Sequence, residues 1–151
     1  MTTDWQLTID CADPGPLVRF WSVALGYVPP DPPDGHPSWR QYYLSIAVPE
    51  EELGDMDDDA VDRLVDPTGH GPSIWFQVVP ERKSLKNRLH LDLKVGGGRS
   101  VPLAQRRSRV DSHVAELVGH GATVVRVTDA PGMDHYAVLL GDPEGNEFCV
   151  V

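Results

Sequence analysis

Residues 87-NRLHLDLKV-95 alternate strictly, with Leu89, Leu91, Leu93 and Val95 on one side and His90, Asp92 and Lys94 on the other. Period-two alternation marks a half-buried strand, so residues 88–95 are expected to form one. The same pattern runs through 5-WQLTIDC-11, where Trp5, Leu7, Ile9 and Cys11 oppose Gln6, Thr8 and Asp10. Each of these stretches leads into a helical pattern. In 13-DPGPLVRFWSVALGY-27, Asp13 suits the N-cap and Pro14 the first helical position. Leu17, Phe20, Trp21, Ala24 and Leu25 form the apolar stripe there, and Gly26 suits the stop. Beyond the 96-GGGR-99 loop, Val110, Val114, Leu117 and Val118 make a second stripe that ends at 119-GHG-121.

The remaining segments read as strands: 38-SWRQYYLSIAV-48, 73-SIWFQVV-79, 122-ATVVRV-127, 134-DHYAVLL-140 and 146-NEFCVV-151. They are aromatic or β-branched. The Pro-rich 29-PPDPPDGHP-37 can only be loop. Both halves therefore run strand, helix, then two or three strands. Asp66-Pro67-Thr68-Gly69 and Asp142-Pro143-Glu144-Gly145 stand at matching places, each before the last strand of its half. Asp-Pro-x-Gly makes a turn because Asp bonds its own backbone, Pro presets φ and Gly accepts positive φ. The order and the paired turns predict an internal duplication, with one module over about 1–82 and another over about 86–151, in a single domain spanning 1–151.

Composition narrows the functional classes. At 151 residues and 40% hydrophobic content the chain is long enough to bury a core. A formal charge of −10 disfavours nucleic acid. No apolar run approaches the roughly 20 residues of a membrane helix. MTTDWQLTID lacks the basic and apolar regions of a signal peptide. Cys11 and Cys149, in no CxxC spacing, predict no disulfide framework. A soluble, cytoplasmic protein is expected. The acid concentrates in 49-PEEELGDMDDDAVDRLVDP-67. Asp55, Asp57, Asp59 and Asp66 have calcium-loop spacing, but Ala60 stands where the loop needs Gly, and Asp66 where it needs Glu. The segment reads as a solvated acidic loop with a short helix over 57–65.

A βαβββ unit occurring twice, with DPGPLVRFWSVALGY after the first strand, HLDL opening the second half and DPEGNEFCVV closing it, resembles the vicinal oxygen chelate superfamily. That superfamily holds glyoxalase I, extradiol dioxygenases and the bleomycin- and fosfomycin-resistance proteins, and the nearest likeness is to its glyoxalase-like members. The resemblance implies an α+β fold whose two βαβββ modules curl their strands into a cup, helices outside and ligand inside, commonly as a homodimer. On that fold the polar sides of the alternating strands line the cup. The expected ligand-binding residues are His90, Gln6, Gln77, Asp92, Lys94, Asp10, Cys149 and Trp75. Glu147, on the Cys149 side of its strand, is the candidate general base. His90 and Asp92, about 7 Å apart along a strand, are not expected to pair directly.

Metal-dependent members place four ligands on the first and last strands of each module. By position these are Gln6, Gln77, His90 and Cys149. Carboxylates are usual where Gln77 and Cys149 stand, so the set suits hard divalent ions poorly, and only Zn²⁺ or Ni²⁺ remains as an alternative. The resemblance therefore implies a protein that binds a small organic molecule in its cup without a metal, as a binding protein or a metal-independent enzyme. A metal-dependent lyase, isomerase or dioxygenase is the first alternative, and a structural or regulatory dimer with a vestigial cup is the second. No nucleic acid or membrane partner is expected.

Overall fold

A computed structural model of the chain describes residues 3–53 and 61–151. Its described residues divide into two compact units, one drawn from 1–22 and 26–79 and the other from 23–25 and 80–151. The mixed α+β class expected from the sequence is what the chain adopts. The described residues form four helices and two sheets.

In the first unit, β1 (Leu7–Cys11) runs parallel to β3 (Ile74–Val78), and β2 (Arg63–Leu64) pairs antiparallel with β3. Beyond β2, Val28 and Val65 exchange two antiparallel backbone bonds of 3.0 and 2.9 Å. Helix α1 (Pro14–Leu25) begins where the sequence places it. The Asp13 carboxylate accepts from Gly15 N at 3.0 Å, and Gly26 closes the helix with φ 68°. Leu17, Phe20 and Trp21 are buried with Leu64, Ile74 and Phe76. Each such side chain contributes about 1.5–3 kcal/mol.

The second unit repeats this order: β4 (Asp92–Leu93), α4 (Leu103–Gly119), β5 (Thr123–Thr128), β6 (Ala137–Gly141) and β7 (Glu147–Val150). Its sheet order is β4-β7-β6-β5, with β4 parallel to β7 and the other pairs antiparallel. The first sheet has the same connectivity, β1-β3-β2, extended by the Val28 bridge. Its fourth strand is thus shrunk to one bridge, because Pro29 and Pro30 follow at once and proline cannot continue a ladder.

Three expected elements differ. Residues 38–48, expected as a strand, contain helix α2 (Trp39–Ser45), with the Ser38 hydroxyl accepting from Gln41 N at 3.2 Å. Ser38 and Gln41 have capping-box spacing, and Trp39, Tyr42, Tyr43 and Ile46 recur at helical intervals, so local capping prevails over aromatic β-propensity. The helix expected over 57–65 ends instead in β2. Residues 57–60, and Asp55, Asp57 and Asp59 of the calcium-loop spacing, lie outside the described residues. A four-residue helix, α3 (Glu50–Leu53), lies earlier in the acidic segment. Finally, the strand expected over 88–95 is ladder-paired only at Asp92–Leu93, and Leu89 is 85% exposed.

Both Asp-Pro-x-Gly turns form as expected. Asp66 accepts from Thr68 N (2.8 Å), Thr68 Oγ1 (2.7 Å), Gly71 N (2.7 Å) and His70 N (3.2 Å), and Gly69 has φ 71°. Asp142 is buried and accepts from Glu144 N (3.0 Å), Asn146 N (2.9 Å) and the Asn146 side chain, with Gly145 at φ 86°. Among the described residues no helix is long and apolar enough to cross a membrane.

Two outcomes test these turns. Asp142→Ala removes a buried carboxylate that accepts from the part-buried Glu144 and Asn146 N–H groups and should cost about 2–3 kcal/mol. Differential scanning calorimetry should then show Tm lower by roughly 5–10 °C, at about 2–4 °C per kcal/mol in a chain of this size. The Asp66 donors, Thr68 N–H foremost, hold its carboxyl at about 2, below the ordinary 3.8. A depressed folded-state pKa stabilises above the unfolded value and loses that contribution as pH falls through the folded one. Urea titrations should therefore show a constant stability gap between wild type and Asp66→Asn at neutral pH, closing as pH falls from 3.8 to about 2.

Candidate functional site

Register builds the site. In the second sheet Asp92 stands opposite Cys149, Cys149 opposite Leu139, and Leu139 opposite Arg126. Directly opposed residues project to the same face, so these four side chains form one row across all four strands. The adjacent row, Leu93, Val150, Val138 and Val127, projects the other way. Its first three members are buried, which fixes the Asp92 row as the polar face. Glu147 and Thr123 flank Gly141 on that same face. Apart from Glu147 at the start of β7, the middle of the face is small or apolar (Ala137, Leu139, Gly141, Cys149), and Asp92 and Arg126 stand on the outer strands.

At one edge, His90 Nδ1 lies 3.1 Å from Asp92 Oδ1. The 7 Å separation expected along a strand does not apply, because His90 precedes the paired segment and follows a bend at Arg88–Leu89, where pleated spacing is lost. The two side chains are 40% and 48% exposed, so the imidazole is open to solvent. Burial, and then the Asp92 charge, push the Cys149 thiol pKa up, while Lys86 and Arg126 oppose them. Cys149 is therefore a protonated thiol at neutral pH. Glu147 is engaged elsewhere: its Oε2 accepts from Asn87 N at 2.7 Å and faces Lys83 Nζ at 3.4 Å. The Asn87 N–H, with Lys83 and Lys86 behind it, lowers the Glu147 pKa and so its basicity. Glu147 ties the 83–87 segment to β7. Lys94 is exposed on the polar side of the alternation.

The ligating atoms of His90, Asp92 and Cys149 all lie within 4.8 Å of one another. One nitrogen, one carboxylate oxygen and one sulfur fit a thiophilic ion such as Zn²⁺ better than a hard ion that takes oxygen ligands. Of the four positions implied by the resemblance, the second unit brings together His90 and Cys149, and Asp92 joins them.

Gln6 and Gln77 belong to the first unit. Gln6 is exposed just before β1 and helps line a pocket of about 450 Å³ with Trp5, Asp66 and Ser73. Gln77 stands opposite Asp10, and Trp75 opposite both Thr8 and Arg63, on one face of the first sheet. Trp75 Nε1 donates to Asp62 at 2.9 Å. Arg63 bonds Asp62 Oδ1 (3.0 Å) and Tyr43 OH (2.9 Å) and stacks on Trp39 at 4.9 Å. The polar face of the first sheet is thus partly occupied by its own side chains.

The 131-PGMD-134 loop and its flanks are fastened to α4. Asp134 meets the buried Arg106, Asp129 meets Arg107, and Tyr136 OH donates to Asp111 at 2.6 Å. That last bond pushes the Tyr136 pKa up to about 12.

With this geometry in place, comparison with known proteins identifies the class. The family model of the glyoxalase-like domain matches residues 6–151, and the chain belongs to that family. No curated protein matches. A glyoxalase/bleomycin resistance protein/dioxygenase family enzyme from Burkholderia phytofirmans is similar at TM-score 0.56 and 18% identity, covering 96% of this chain and 94% of that one. The fosfomycin resistance protein FosX from Mesorhizobium loti aligns at TM-score 0.56 and 7% identity, covering 99% and 91%. A FosX mutant from Listeria monocytogenes, complexed with Mn(II) and 1S,2S-dihydroxypropylphosphonic acid, aligns at TM-score 0.56 and 8% identity, covering 99% and 90%. These likenesses show the vicinal oxygen chelate fold.

Arg126 is the site residue that pattern reading missed. Strict alternation through Val124-Val125-Arg126-Val127 puts Arg126 on the side of Val124. The register shift between Val124 and Arg126 instead returns Val124 and Val127 to one face and turns Arg126 to the other. The opposing influences on Cys149 are testable through alkylation by iodoacetamide, since the thiolate is the reacting form. Near pH 8, Asp92→Asn should speed modification of Cys149 severalfold and Arg126→Gln should slow it. Mass spectrometry separates Cys149 from Cys11, which is only 2% exposed.

Proposed function

We propose that this protein binds a small organic molecule against the polar face of its second sheet, with His90 as the hydrogen-bonding anchor and no resident metal. The observation that carries the reading is the 3.1 Å contact between His90 Nδ1 and Asp92 Oδ1. An ionised carboxylate only accepts, so Nδ1 carries the proton and Nε2 is left as a lone-pair acceptor. The pair resembles the oriented imidazole of a general base, and it serves equally to fix the donor group of a ligand. Leu139, Ala137 and the protonated Cys149 supply a floor for the apolar part of that ligand. Family membership supports small-molecule recognition, while the identity of the chemistry belongs to the site.

One observation favours a second reading, in which the three clustered donors hold a thiophilic cation. A zinc ion held by His90, Asp92 and Cys149 would supply Lewis acidity to a ligand oxygen. Binding it would require this chain to give up the Cys149 proton, so affinity would rise with pH.

A fragment titration followed by ¹H–¹⁵N NMR tests the first reading. Bound fragments should shift amides of β4, β6 and β7, and His90→Ala should weaken them by about tenfold, the worth of one hydrogen bond to an oriented partner. Fragments that bind this face with no dependence on His90 would contradict it. For the second reading, thermal shift with Zn²⁺ and Mn²⁺ is decisive. Stabilisation by Zn²⁺ that disappears in Cys149→Ser would replace the metal-free account.

A further inference from the structure

Arg126 is a cation without an assigned task. It makes no ion pair among the described residues, although it sits in a chain of net charge −10. The contrast with Arg63 is informative. On the polar face of the first sheet, Arg63 is taken up by Asp62, Tyr43 and Trp39. On the polar face of the second, Arg126 ends the row Asp92–Cys149–Leu139–Arg126. Three strand spacings of about 4.8 Å set the Cα atoms of Asp92 and Arg126 about 14 Å apart. Arg126 is exposed on the outer strand of this face, with Leu139 and Cys149 between it and Asp92. A second cation reaches the same face, Lys83 Nζ lying 3.4 Å from Glu147.

From this arrangement we infer that Arg126 is a specificity-determining residue, which anchors the anionic group of a small organic acid whose hydroxyl or carbonyl end reaches His90. The inference rests on the reading of this face as the binding surface and adds the class of ligand. A guanidinium presents a planar fork that matches a carboxylate, phosphonate or phosphate oxygen pair. Leu139 and Cys149 separate the two polar ends, so the ligand carries a short apolar chain between its anion and its hydrogen-bonding group. A neutral molecule of the same shape would leave Arg126 unsatisfied and bind less well.

The full chain should be titrated at low ionic strength by ¹H–¹⁵N NMR with 4-hydroxybutyrate, 3-hydroxypropylphosphonate and the neutral 4-hydroxybutyramide. Both anions should shift amides of β5, β6 and β7 and bind about tenfold more tightly than the amide, as expected of a charge-assisted contact. The tighter of the two anions tells whether a carboxylate or a phosphonate fits the fork. Arg126→Gln should abolish the preference for anions, bringing all three probes to comparable affinity, and Arg126→Lys should keep part of it. Equal binding of anions and amide by the wild type, or an undiminished preference in Arg126→Gln, would overturn the assignment. His90→Ala separates the two ideas, since it should weaken all three probes alike. If it has no effect while Arg126→Gln removes the preference, the anion anchor stands and the role of His90 falls. If no probe binds this sheet, both fail.

Discussion

The parallel pairing of β4 with β7 is the contact on which the candidate site depends. It is short, with Cys149 N donating to Leu91 O at 2.8 Å and Val151 N to Leu93 O at 2.9 Å. Gly96 N returns a bond to Val151 O at 2.9 Å. A slip of one residue would exchange the faces, sending Asp92 toward the core and Leu93 to solvent. The buried Leu93, Val150 and Phe148 oppose such a slip. Hydrophobic burial on one face thus sets the positions of the polar groups on the other. His90, Asp92 and Cys149 meet because Leu93 and Val150 must be buried.

Charge is the second constraint. An acidic chain repels anions at long range, and that repulsion is screened beyond about 8–10 Å at physiological salt. Inside that distance the local arrangement governs. Lys83 faces Glu147, Arg126 stands in the same cross-strand row as Cys149, and the carboxylates of Asp92 and Glu147 are already engaged by His90 and Asn87. The first sheet arranges its charges otherwise, closing Arg63 between an acid and two aromatic rings. Duplicated connectivity therefore carries two different polar faces, one filled by its own side chains and one with an unengaged guanidinium.

Much of this was legible in the sequence, for identifiable reasons. Asp13, Pro14 and Gly26 announced α1, and the two Asp-Pro-x-Gly sequences announced their turns, because those residues act through local geometry that needs no partner. The alternation of 87–95 put Asp92 on the side opposite Leu93, and the sheet does the same, with Leu93 buried. Tertiary competition hid the rest. Residues 38–48 have strand composition, but the Ser38 cap and the helical spacing of Trp39, Tyr42 and Tyr43 made them a helix. The direct His90–Asp92 contact escaped notice because it depends on the chain leaving the pleat before β4. Arg126 escaped because a bulge shifts which face it occupies, and no residue type signals that shift.

The central claim is that Asp92 fixes His90 so that its Nε2 is offered to a ligand. The tautomer of His90 tests it most directly, by long-range ¹H–¹⁵N NMR of the imidazole at a pH where the ring is neutral. The Asp92 contact predicts a proton on Nδ1 and a bare Nε2, reverting to the ordinary Nε2–H form in Asp92→Asn. An Nε2–H tautomer in the wild-type protein, unchanged by Asp92→Asn, would contradict the account.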